Sequence, residues 1–254
     1  MDGWIEFGRG PLFRLAFSLM LLGLARIVVN TILGLVEAYR RSPDRIVPWK
    51  TVGWQTLGWL VPVGRLWNKR PVYSSVSVLF HAGLLTVPLF LAAHLLLWRG
   101  ATGFAWPAMP PWLADGLALL VIVTATLLSL TRLADRRTRA LSRGQDYLWP
   151  LLLATPFATG YICSHSAVGA KAYQQLMFVH VYSGDLILLL IPFTRIAHCV
   201  LAPFSQAVTA IAWKFVPGAG DRVAATLGYA DRPSWVEKAR VGEPVRPAGE
   251  VIVR

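Results

Sequence analysis

Residues 177–203 read MFVHVYSGDLILLLIPFTRIAHCVLAP. The run is apolar and long enough to cross a bilayer. It carries His180 near its start and His198 near its end. At ~100° per residue their eighteen-residue separation is five full turns, so a continuous helix presents both imidazoles on one face. A rise of ~1.5 Å per residue sets them roughly 27 Å apart, one toward each side of a membrane. Imidazole is the commonest metal ligand, and an ionisable side chain inside an apolar span is a functional candidate by default. The bland alternative is a pair of interfacial histidines with no ligand role.

A second run changes that balance. Residues 73–98, YSSVSVLFHAGLLTVPLFLAAHLLLW, are again of membrane length and carry His81 and His94. Four of the five histidines therefore fall two and two on two apolar runs. Two ligands from each of two antiparallel helices suit bis-histidine ligation of two b-type haems, each iron taking one imidazole from each helix. Copper or zinc prefers a tighter, mixed cluster, which these residues do not supply. On an ideal helix, thirteen residues put His94 about 140° around from His81. Pro88 lies midway. Either a kink there brings the two into phase, or the two cofactors approach this helix from different sides.

Composition agrees with a membrane protein. The chain of 254 residues is 55% hydrophobic and 15% charged, with mean hydropathy +0.51, too apolar for a soluble domain of this size. The net charge of +12 does not point to nucleic acid, because the basic residues gather in alternate loops. The amino-terminal head has Arg9, and the loop over 40–71 has seven Lys/Arg. The loop over 99–111 has one, the segment 134–147 four, the next loop only Lys171, and the tail seven. The expected architecture is an all-α integral membrane protein of five transmembrane helices, with the amino terminus outside and the carboxyl terminus cytoplasmic. Residues 1–203 form the membrane domain, and 204–254 a polar cytoplasmic tail suited to docking a partner subunit. The tryptophans interleaved in the 40–71 loop suit a segment lying on the cytoplasmic interface, with docking as a secondary role. The first span is too long for a cleavable signal peptide and lacks a small-residue cleavage site. Cys163 and Cys199 stand alone, with no spacing for a covalent haem, an iron–sulfur cluster or a disulfide.

Under that topology His81 and His198 lie toward the cytoplasm, and His94 and His180 toward the outside. The expected iron-ligand pairs are His81 with His198 and His94 with His180. Arg26, in the first span with Asn30 four residues on, must face the interior or a polar partner. A haem propionate, a buried carboxylate and a plain interhelical contact are the choices. Asp185, inside the fifth span, is costly to bury unless paired, protonated or wet. Near the outer haem it is a candidate proton acceptor for quinol oxidation, against a structural hydrogen bond. His165, near the outer end of the fourth span, is at best a quinone-site candidate, against a plain interfacial histidine. Arg195, three residues before His198, is a candidate propionate partner of the inner haem, against a snorkelling side chain.

Three blocks resemble the membrane cytochrome b, or gamma, subunit of respiratory nitrate reductase and the related membrane subunits of heterodisulfide reductase and sulfate-reduction complexes. LFHAGLL at 79–85 resembles the family's first haem-ligand helix, and RTRALSRGQDYL at 137–148 the basic loop entering its fourth helix. HVYSGDLILLLIPFTRIAHCVLAP at 180–203 is similar to its last helix, with the same histidine spacing and the Pro-Phe-Thr-Arg block. The resemblance implies that His81, His94, His180 and His198 ligate two haems b, and that Arg195 belongs to the conserved block of that helix. It also includes an arginine in the first span, at Arg26. The nitrate reductase branch spaces its first pair more closely and has a lysine near the start of its third helix, implicated in quinol binding. PPWLADGLALL at 110–120 has none. The quinol site and nitrate therefore do not carry over.

The expected function is an electron wire across a bacterial or archaeal cytoplasmic (inner) membrane, between the quinone pool and a cytoplasmic redox subunit of iron–sulfur type. The chain is then the quinol-oxidising or quinone-reducing subunit, with the terminal catalytic site on another polypeptide. A periplasmic multihaem cytochrome as partner uses the same wire. The alternative is a proton or metal-ion transporter using the intramembrane histidines and Asp185. Against it stand the pairing of the histidines by depth, the absence of an inverted repeat, and the expectation that no helices are broken in matched positions.

Overall fold

The computed structural model describes residues 1–41, 47–60, 71–165, 168–212 and 225–226. The basic residues Arg45, Arg65, Lys69 and Arg70 of the first loop lie outside these, as does most of the tail (213–224 and 227–254). The expected docking role of the tail falls there too.

Every regular element among the described residues is helical. Helix α1 (Asp2–Phe7) passes through a π-helical turn, Gly8–Leu12, into α2 (Phe13–Arg41). Pro11 has no N–H to give to the α-helical ladder, and the wider turn sits around it. The expected short head is thus helical and continuous with the first span over 40 residues. Then follow α3 (Trp49–Leu60), α4 (Pro71–Phe90), α5 (Ala92–Thr102) and α6 (Pro111–Ala134). The chain continues through α7 (Arg136–Leu141), α8 (Gly144–His165) and α9 (Ala170–Leu190) to α10 (His198–Leu201) and α11 (Ser205–Ala212).

Four helical stretches are long and apolar enough to cross a membrane: Asp2–Arg41, Pro71–Phe90, Pro111–Ala134 and Ala170–Phe193. Their outward faces carry apolar side chains such as Leu22, Leu33, Val123, Leu130 and Leu186, as a lipid-facing surface requires. The expected fourth span is α8, 22 residues long and holding Pro150 and Pro156. It packs between α6 and α9, so it shows less surface to the exterior and carries a more polar composition.

The helices pack side by side in the order α4, α6, α8, α9, α2, and α2 runs parallel to α9, since Gly8 meets Val181 and Gly23 meets Pro192. The Phe13 and Phe17 rings of α2 then meet Trp98 of α5 at centroid distances of 5.7 and 5.1 Å. This joins α2 to the far side of the bundle and closes a ring of helices. The core lies where α4, α6 and α8 meet, around Phe80, Val121, Ala125 and Phe157. Gly83 permits that contact: a Cβ there would stand 2.6 Å from Val121 Cγ2 and 2.9 Å from the Leu117 carbonyl oxygen. At the opposite end from the amino terminus, Ile211 of α11 packs with Val47 and Val52 beneath the end of α2.

Both histidine-bearing runs are broken, which corrects the expectation of a continuous helix over 177–203. In the first run Leu91 is extended (φ −68°, ψ 130°), three residues after Pro88, and separates α4 from α5. The break deprives the carbonyls of Pro88, Leu89 and Phe90 of their helical donors. Each finds another. Trp98 Nε1 donates to Pro88 O at 2.8 Å, Trp106 Nε1 to Leu89 O at 2.8 Å, and the Met109 N–H to Phe90 O at 2.9 Å. In the second run α9 ends at Leu190, and a 3-10 turn holding Pro192 follows. Thr194 is extended (φ −132°, ψ −179°), and a further 3-10 turn, Arg195–Ala197, leads into α10. Pro192 sits against Gly23 of α2, where a Cβ would be 2.5 Å from Pro192 Cβ.

Replacing Gly83 by alanine should push α4 off α6, because the Leu117 carbonyl is backbone and cannot rotate away. Overpacking of this kind costs ~1–3 kcal/mol, read as a lower Tm of the purified protein in detergent. An unchanged Tm would show that the two helices separate freely.

Candidate functional site

The histidines on the two broken runs meet in two pairs across the ring. His94 of α5 and His180 of α9 have ring centroids 6.0 Å apart with planes 16° apart. His81 of α4 and His198 of α10 are also 6.0 Å apart, with planes at 83°. The first pair lies toward the amino-terminal end of the bundle and the second toward the opposite end.

Three of the four rings are oriented by a backbone carbonyl. His81 Nδ1 donates to Ser77 O at 2.7 Å, His180 Nδ1 to Pro156 O at 2.8 Å, and His198 Nδ1 to Arg195 O at 2.8 Å. A carbonyl oxygen only accepts, so each Nδ1 carries a proton, and in the neutral ring Nε2 keeps its lone pair. That is the tautomer a metal-ligating histidine takes, with a second partner fixing the ring. His94 Nδ1 is buried without a hydrogen bond, and the Val87 and Pro88 carbonyls of the helix break come close to it.

His180 has no room to turn. A Cβ at Gly160 of α8 would stand 2.8 Å from His180 Cε1 and 3.0 Å from its Nδ1. Gly160 is therefore the wall against which the imidazole rests, a role the sequence reading did not assign. The spacing of Pro156 and Gly160 is its only sequence signal: four residues, hence one helix face.

The other candidates are placed as follows. His165 Nε2 pairs with Asp115 Oδ2 at 3.1 Å, its Nδ1 donates to Tyr161 O at 3.1 Å, and its ring stacks on Tyr161 at 4.3 Å. Both ring nitrogens are occupied, so His165 is tied into a link between α6 and α8. Asp185 is only 6% exposed, and its Oδ2 has no hydrogen-bond partner. Arg26 lies on the exposed face of α2, in no ion pair among the described residues.

Arg195 has a protein carboxylate as its partner: its Nη1 donates to Asp146 Oδ1 at 2.6 Å. Asp146 also accepts from the Arg143 N–H at 2.8 Å, reaching back from the first turn of α8 to the residue before it, as the acid of a capping box does. That N–H holds the Asp146 carboxyl below the usual carboxylate range. Burial pulls the other way, and the Arg195 and Arg132 guanidiniums reinforce the lowering. Since the Arg195 carbonyl orients His198, Asp146 ties the start of α8 to the segment that carries this ligand candidate. Asp146 stood in the sequence inside the 137–148 block, but its partner lies 49 residues away and no local pattern joins the two.

Gly160→Ala should push the His180 ring off the Pro156 carbonyl and away from His94, while the bundle still folds. The expected result is selective loss of whatever ligand His94 and His180 share, with the His81–His198 pair unaffected. Bound-ligand stoichiometry on the purified variant measures this, and full stoichiometry at both pairs would sink it.

No family model matches the chain, and no solved structure matches it. Among curated proteins it is similar to one from Nitratidesulfovibrio vulgaris (strain Hildenborough) described only as "Protein", with 31% identity over 199 residues, 77% of this chain and 87% of the relative. The chain belongs to the same protein family as that Nitratidesulfovibrio vulgaris relative.

Proposed function

We propose that the chain is the membrane dihaem b-type cytochrome subunit of a respiratory redox complex, passing electrons between the quinone pool and a partner redox subunit. The observation that carries this reading is the equal separation of the two histidine pairs. An imidazole nitrogen binds a metal at roughly 2 Å, so two imidazoles on opposite sides of one ion have nitrogens about 4 Å and ring centres about 6 Å apart. Both pairs stand at 6.0 Å. Among the described residues no three His, Cys, Asp or Glu converge, so the donor set would offer two imidazoles per site rather than a four-coordinate cage. His94 and His180 would hold one haem, and His81 and His198 the other. Bound there, the group supplies one-electron carriers at two depths of the bundle.

The chain's own residues do the rest. The Ser77, Pro156 and Arg195 carbonyls keep three imidazoles in the binding tautomer, and Gly160 and Asp146 hold two of the ligands in place. Asp185 is the proton acceptor for quinol at the amino-terminal side, since its free Oδ2 lacks a partner inside the apolar span. In this reading α8 also spans the membrane, as the fourth of five spans, the amino terminus faces outside, and the basic loops face the cytoplasm of a bacterium or archaeon. The partner is a cytoplasmic iron–sulfur subunit that holds the terminal catalytic site.

One observation favours the alternative of a proton or metal-ion transporter. Helices broken at matched places are a transporter feature, with unwound carbonyls lining an ion site, and both histidine runs here are broken six residues or fewer before the second histidine. The carbonyls at the first break are, however, all taken by Trp98, Trp106 and Met109. Each therefore already has one of its two lone pairs engaged.

A pyridine haemochrome assay with a protein determination should give two haems b per polypeptide. His180→Ala and His198→Ala should each lose the haem of its own pair, and both haems retained in either variant would overturn the assignment. A well-folded preparation without haem brings the transporter forward. Asp185→Asn should slow quinol-dependent haem reduction at least tenfold and change its pH profile without changing haem content. Unaltered rate and profile would leave Asp185 a structural role only.

A further inference from the structure

Among the described residues Arg9 is a cation with no anion. Its Nη2 lies 3.0 Å from Met177 Sδ, a weak acceptor. It is in no ion pair among the described residues. Its position is nonetheless fixed. The π-helical turn that carries it presses on α9 so closely that a Cβ at Gly8 would be 2.5 Å from Val181 Cγ1. Tyr182 Oη donates to Trp4 O at 3.1 Å, and Gln174 Nε2 to Asp2 Oδ1 at 2.9 Å. Met177 precedes His180 by three residues and shares its helix face. The guanidinium thus sits on the His180 side of α9. Four contacts from one short segment hold this exposed cation beside the amino-terminal histidine pair.

We infer that Arg9 anchors a carboxylate arm of the ligand held between His94 and His180, a propionate of the haem in the reading above, on which this inference rests. The guanidinium fork matches a carboxylate with two parallel N–H···O bonds. A lipid phosphate is the competing source of negative charge, and the test separates the two.

The experiment is a potentiometric titration of haem absorbance on the purified protein and on Arg9→Gln, with haem counted in each. The centre missing from His180→Ala identifies the pair concerned. A cation beside a haem favours the reduced, less positive state. Losing it should make reduction of that centre about tenfold less favourable, a fall of ~59 mV for one electron, with the other centre unmoved. Two haems with both potentials unchanged would overturn the inference and leave Arg9 to a lipid phosphate. Unchanged potentials with weaker quinol binding would overturn it in favour of a quinol contact. If the unaltered protein contains no haem, the underlying reading fails instead. If Arg9→Gln does not accumulate, Arg9→Lys keeps the charge and loses the fork. Haem transfer from it to an excess haem-binding acceptor should then be several-fold faster, and an unchanged rate overturns the proposal.

Discussion

In hydrocarbon there is no water to satisfy a backbone carbonyl, and each orphan costs several kcal/mol. The two histidine runs are built around that constraint. Pro88 and Pro192 interrupt the helical ladder, and the carbonyls released at Leu91 are met one for one by two indole N–H groups and the Met109 backbone. The loop over 103–110 therefore has a structural task. It folds back to close the gap that α4 leaves open, and so fixes the direction in which α5 carries His94. At the second break the 3-10 turns and the Thr194 hydroxyl, which donates to Leu190 O at 2.9 Å, do the equivalent work for His198.

The same chemistry sets the rings. A carbonyl oxygen against Nδ1 decides the tautomer of His81, His180 and His198, and for two of them the carbonyl lies within one turn of the same chain. The histidine and the group that orients it are thus a single local unit, carried together by any shift of the backbone. His180 differs. Its orienting oxygen and its wall, Pro156 and Gly160, belong to α8, so its pose depends on the packing of two helices. The position of α8 between α6 and α9 gives it more than a space-filling role, and its composition, with Thr159, Gly160 and two prolines, follows from that position rather than from exposure to lipid.

Helical class and apolar spans were legible because run length and hydropathy are local properties. The histidines were legible by residue type and by the run each sits on. The breaks were not, although both prolines were in view. A proline in an apolar run admits a kink, a 3-10 turn or a full interruption, and the choice depends on donors far away, Trp98 and Trp106 in one case. The five-turn phase argument for His180 and His198 assumed an intact helix, which Thr194 denies. Arg195 was read as a candidate propionate partner or a snorkelling side chain, and Asp146, the carboxylate it meets, is 49 residues distant. Gly160 was invisible for a similar reason: a glycine announces close approach only when the approaching group is known. Arg9, counted only as a basic residue in the head, gained its meaning from Met177 and Gly8.

The breaks divide the four histidines into two kinds. His81 and His180 sit within long helices, α4 and α9, whereas His94 stands in the first turn of a helix after extended Leu91 and His198 opens a helix after the 3-10 turn that follows extended Thr194. Every pair therefore joins a ring carried within a long helix to a ring carried by a helix that starts at a break. The two breaks lie toward opposite ends of the bundle, His94 toward the amino-terminal end and His198 toward the other. The 6.0 Å spacing of each pair is thus set by its own break and not by the other.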